Sequence, residues 1–162
     1  IKFGHDGKNV SLSIAAWTKQ GKIFVETYAC RPVSAGVTWL VRFLEKADVQ
    51  STVVDGDSGK AILQDAMKDA RLKKPVFVTS QEFIKANAVF ELALSQGTLV
   101  HMQQSAVTQV VSNCEKRAIG SHGGFGYQSL IEEADIGILD SLVLAHWKCS
   151  ECKEKKKQKV SY

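Results

Sequence analysis

Apolar and polar residues alternate along VSLSIAAWT, from Val10, the period of a strand with one face in a core and the other outside it. Before it, residues 1–6 (IKFGHD) predict a short strand that ends in an acid, and Gly7–Asn9 a turn. After it, Lys19–Lys22 (KQGK) predicts a second turn and IFVETYACR a third strand, so the chain opens as a three-stranded meander. Pro32–Gly36 interrupts this pattern and the period changes. In VTWLVRFLEKA, from Val37, residues Leu40, Val41 and Leu44 share one face while Arg42 and Glu45 leave it, which predicts an amphipathic helix crossing back over the sheet. Thr52, Val53 and Val54 predict a fourth strand, Gly56 and Gly59 a turn, and residues 60–71 a helix. PVFVTS predicts a fifth strand, and Thr79 with Glu82 has the spacing of a capping box ahead of the helix EFIKANAVFELALSQ.

The rest is less regular. LVHM predicts a short strand, AVTQVVSN a short helix, and CEKRAIGSHGGFGYQSL two strands joined by a glycine-rich turn. A last helix starts near Asp135, and its IGILDSLVLAHW is apolar on nearly every side, which predicts burial. The order βββαβαβα predicts an α/β fold: a mixed five-stranded sheet flanked by helices, with an added β-hairpin.

Composition narrows the function classes. The 162 residues suit one domain, and no apolar run is long enough to span a bilayer, so no membrane partner is expected. The net charge of +4 resides in the tail, since Lys148 to Lys159 holds six lysines against Glu151 and Glu154. Residues 1–147 form the expected domain and are neutral; residues 148–162 are expected to be a basic, disordered tail. Any surface for nucleic acid must therefore be local. Cys149 and Cys152 form one C-x-x-C, but neither a second pair nor H-x-x-x-H completes a zinc site, and free thiols in a reducing compartment are expected. Ile1 falls inside an apparent strand, as expected of a domain excised from a longer protein.

Three aspartates carry the candidate chemistry. Asp55 ends the fourth strand at a glycine turn, the position where open α/β sheets bind ligands. Asp140 has Ile136, Gly137, Val143 and Leu144 as helical neighbours, so it needs a cation, a hydrogen-bond partner or a raised pKa. Asp135, five residues earlier, is placed to cap the helix. If the first and fourth strands are neighbours, Asp6 joins Asp55 and Asp140. Three carboxylates with no basic partner suggest a hard cation, Mg²⁺ or Mn²⁺, of the kind that clamps the attacking and leaving oxygens of a phosphodiester. Asp57 is a possible fourth ligand, balanced against a solvated turn residue.

The acid at Asp6, the VVDGDSGKAIL segment, the run from Ser80 through Asn113, the CEKRAIGSHGGFGYQS hairpin and the closing D-S-L helix together resemble the nuclease domain of the large terminase subunit of tailed bacteriophages, a DNA-packaging motor protein. The resemblance implies a ribonuclease H-like fold over residues 1–147 and cleavage of double-stranded viral DNA. It also implies ligation of two divalent metal ions by Asp6, Asp55 and Asp140, and action in the cytoplasm of an infected bacterium. Its implied partners are an ATPase half of the same polypeptide, a small terminase subunit and a portal. GDSGKA is no P-loop, having two residues between its glycines and Ala61 where a hydroxyl belongs. Lys116 and Arg117 on the hairpin, with Lys60, are candidate DNA contacts, and His5 and His122 could touch a phosphate or a water. A junction resolvase, a ribonuclease H and a non-catalytic module docking DNA or a portal remain alternatives.

Overall fold

The computed structural model describes residues 1–152. Strands β1 (Lys2–Phe3), β2 (Asn9–Trp17) and β3 (Ile23–Pro32) form the expected antiparallel meander. After a 3₁₀ turn at Val33–Ala35 come α1 (Thr38–Lys46), β4 (Val53–Val54), α2 (Lys60–Asp69), β5 (Val76–Phe77) and α3 (Ser80–Gln96). Then follow β6 (Leu99–His101), α4 (Ser105–Ser112), the hairpin β7 (Cys114–Ile119) and β8 (Gly124–Ser129), and α5 (Ile136–Glu151).

β4 pairs in parallel with β5 and meets β1 at the parallel bridge Lys2–Asp55, where the Phe3 amide donates to the Asp55 carbonyl at 2.9 Å and the Asp55 amide to the Ile1 carbonyl at 3.0 Å. β6 lies parallel to β3 at the other edge. The continuous order is β5-β4-β1-β2-β3-β6, in which β2 alone runs opposite to the rest. The sheet thus has six strands among the described residues rather than five, because LVHM joins its edge.

Helices cover both faces. Ile1, Phe3, Val10, Leu12 and Val54 pack against Leu40 and Leu44 of α1 and Leu63 and Met67 of α2. The opposite face carries α5, which packs with α3, α4 and the hairpin through Phe83, Phe90, Val110, Tyr127, Leu139 and Trp147. Alternation along the central strands therefore sends Phe3 and Val54 to one layer, and Lys2 and Asp55 toward α5. Gly56 makes the seam between β1 and β4 possible. Its φ is +100°, and a Cβ there would overlap the Phe3 carbonyl, while one at Gly59 would overlap the Phe3 ring.

Two helix starts follow the expected chemistry: Thr79 and Glu82 form a complete capping box, and the Asp135 carboxylate accepts from the Gly137 amide at 2.8 Å. α5 continues through Glu151, so the first four residues assigned to the tail are helical, with Glu151 paired to Lys85 and Lys148. Residues 153–162 of that tail lie outside the described residues. No described helix is long and apolar enough to cross a membrane.

Candidate active site

Asp55 and Asp140 converge as expected, but the group between them is a lysine. Lys2, on the central strand, is 1% exposed; its Nζ lies 2.5 Å from Asp55 Oδ2 and 3.8 Å from Asp140 Oδ2. The Phe83 ring, its centroid 5.1 Å from Nζ, closes the side toward α3. The Asp140 side chain is 2% exposed and its Oδ1 has no hydrogen-bond partner among the described residues, while the Asp55 side chain is 24% exposed and opens toward water. Burial pushes the Asp140 carboxyl up to about 7, against the pull of the Lys2 ammonium; Asp55 adds to the rise and the Arg117 guanidinium opposes it. The premise of three acids with no basic partner is thus corrected. IKF carries part of the signal, because alternation turns Lys2 to the face opposite Ile1 and Phe3, but which acids it meets there depends on the order of the strands.

Asp6 stands apart from the pair. β1 ends at Phe3, and the acid lies in the turn beyond it, 57% exposed, with Oδ1 accepting from the Lys8 amide at 3.0 Å and Oδ2 3.8 Å from Lys8 Nζ. An aspartate two residues ahead of a backbone amide forms such a turn readily, and here the turn uses the side chain. A Cβ at Gly4 would come 2.9 Å from Asp6 Oδ1, so the carboxylate lies over the backbone of residue 4. Among the described residues no three His, Cys, Asp or Glu side chains are grouped to hold a metal ion.

Asp57 is on the turn, 91% exposed and ion-paired to Lys60, which keeps its carboxyl below the usual range. Asp57 thus stands in water beside Lys60, which is engaged by it and by the Phe77 ring. Lys116 is engaged too: Nζ lies 3.0 Å from Glu91 Oε2 and 4.7 Å from the Phe125 ring centroid, while the Tyr127 hydroxyl donates to Glu91 Oε1 at 2.5 Å. Its neighbour Arg117 has no ion-pair partner among the described residues, and its charge reaches both Asp140 and His5. His5 is exposed, its Nε2 3.4 Å from Lys2 Nζ, and the Lys2 charge, then burial, hold its pKa below the ordinary value. His122 is exposed in the hairpin turn.

No family model, curated protein or solved structure matches this chain. The chemistry of the site therefore rests on its own geometry. Asp55 and Asp140 offer only hard oxygen donors, one of them buried and unpartnered, and they already share one cation. Those features fit a divalent ion such as Mg²⁺ or Mn²⁺, provided the ammonium leaves Asp55 Oδ2. A separate cavity of about 320 Å³, lined in part by Leu12, Trp17, Val53 and Cys149, contains neither acid.

Proposed function

We propose that this domain is a divalent-metal-dependent endonuclease acting on double-stranded DNA, as expected of a terminase-type nuclease with a ribonuclease H-like fold. The observation that carries the reading is the meeting of Asp55 and Asp140 around one cation, at the end of a strand beside the central one. The mixed sheet with helices on both faces and an added hairpin supports the fold assignment.

In this reading Asp55 and Asp140 hold the ions, and Asp6 is recruited from its turn as the third ligand. An ion held by these residues would supply an activated water and would offset the charge that develops on the phosphodiester. Lys2 releases Asp55 and remains a nearby positive charge. Arg117 contacts the phosphate, because it is the hairpin cation without an ion pair among the described residues, while Lys116 braces the hairpin on Glu91. Phage DNA packaging, host cytoplasm, and an ATPase half, small terminase subunit and portal as partners belong to the same proposal.

Cleavage of supercoiled plasmid tests it, with Mn²⁺, Mg²⁺ or chelator present. The expected outcome is ion-dependent nicking, reduced by about 100-fold or more in Asp55→Asn and Asp140→Asn and retained in Asp57→Ala. Cutting that survives chelation or Asp140→Asn overturns the reading. Branched DNA and an RNA–DNA hybrid as parallel substrates separate it from a resolvase or a ribonuclease H. The Lys2 ion pair favours a second reading, a non-catalytic module in which the buried cluster only holds β1, β4 and α5 together. A folded chain that cuts with neither ion supports that module.

A further inference from the structure

α1 turns Leu40 and Leu44 to the core, yet a second stripe on the same helix is both aromatic and basic. Trp39, Arg42, Phe43 and Lys46 stand at helical spacings of three and four, so they share a face, and Tyr28 and Arg31 of β3 lie alongside. The six line an open groove of about 380 Å³. The Tyr28 and Phe43 rings are tilted by 47° with centroids 4.5 Å apart, and the Arg31 guanidinium lies 4.7 Å from the centre of the Trp39 ring. Tyr28 is 53% exposed. Among the described residues, Arg31, Arg42 and Lys46 have no ion-pair partner.

We infer that this groove is a binding site for single-stranded nucleic acid, with the three cations on its phosphates and a base stacked on Tyr28. Residues 1–147 are neutral as a whole, so three cations without an ion-pair partner among the described residues, beside three aromatic rings, are a local excess that an anionic, ring-bearing ligand matches. A duplex satisfies the cations but keeps its base faces stacked on one another; an unpaired strand satisfies both. The groove also has a path toward the acids. Phe3 pairs with Val10 and Val10 with Arg31, so Arg31 is at the same end of the sheet as Asp55, on the opposite face. Lys8, whose carbonyl accepts from the Val33 amide at 2.7 Å, stands at the corner between them. The inference does not depend on cleavage and holds for either reading of the acids.

Fluorescence anisotropy of the full chain with labelled oligo-dT, oligo-rU and duplex, each about 15 units long, tests it. Every variant retains the lysine tail, so differences report the groove. Single strands are expected to bind more tightly than duplex, with dT against rU showing which sugar is preferred. Tyr28→Ala is expected to weaken that binding about tenfold. Arg42→Gln with Lys46→Gln is expected to reduce the slope of log affinity on log salt by about 1.4, or roughly 0.7 for each phosphate no longer neutralised. Unchanged thermal melting by circular dichroism identifies these as surface effects. The proposal is overturned if the wild type binds no single strand, if duplex binds as tightly, or if these variants bind as the wild type does.

Discussion

Lys2 decides how the site behaves as a set of charges. A buried ammonium between two carboxylates leaves an uncompensated charge when it is removed, an effect of roughly 3 to 5 kcal/mol for a fully enclosed pair. Asp55 is partly open to water, so Lys2→Met is expected to destabilise by about 2 to 3 kcal/mol in urea unfolding. If the ammonium occupies the position of a divalent ion, Mn²⁺ at about 100 times its dissociation constant adds about 2.7 kcal/mol of stability. At one fixed Mn²⁺ concentration the gain should be larger in Lys2→Met than in the wild type, because the ion no longer competes with the ammonium; an equal or absent gain in both would show that the pair holds no metal. Asp140 has the opposite pH signature from an exposed acid. Its carboxyl is raised in the fold from 3.8 to about 7, so the folded chain retains a proton that the unfolded chain releases. The resulting stability is full below about pH 4 and lost as pH rises through about 7. Urea midpoints of the wild type and Asp140→Asn, compared at several pH values, should show this decline only in the wild type; parallel curves would remove Asp140 as its source.

At the scale of elements, the hairpin packs on α3 through Phe83, Phe90 and Tyr127, and its polar ties to that helix converge on one residue, Glu91. Glu91 receives both the Tyr127 hydroxyl and the Lys116 ammonium, and the hydroxyl first, then the ammonium, keep its carboxyl ionised below the usual range. Tyr127→Phe should therefore loosen the hairpin while leaving the central sheet intact. The expected loss is about 1 to 2 kcal/mol, with faster amide exchange confined to residues 114–129; uniform acceleration across the chain would point to global destabilisation instead. The elements themselves were largely legible in the sequence. Thr79 and Glu82 marked the start of α3, Asp135 that of α5, and the switch from a two-residue to a helical period after Pro32 separated β3 from α1. Local chemistry decided each of these. The end of β1 was not legible for the same kind of reason: Gly4 and Asp6 favour a tight turn, and the hydrogen bond from the Lys8 amide draws Asp6 out of the strand.

For the whole molecule, the order β5-β4-β1-β2-β3-β6 brings together residues that are far apart in the chain. Burial at Asp140 could be read from its own helix, but the identity of its cationic partner depends on which strand lies beneath α5. That is a property of topology, and it is why Asp55 and Asp140 were legible in the sequence while the role of Lys2 was not. The same topology has a consequence for the timing of synthesis. Lys2 emerges from the ribosome first, Asp55 after it, and Asp140 near the end of the described chain, so no segment made earlier contains the complete cluster. A growing chain with β1 to β5 in place still exposes the lysine on the face awaiting α5. Whatever the acids do, they can do it only after α5 has been made and packs over the sheet.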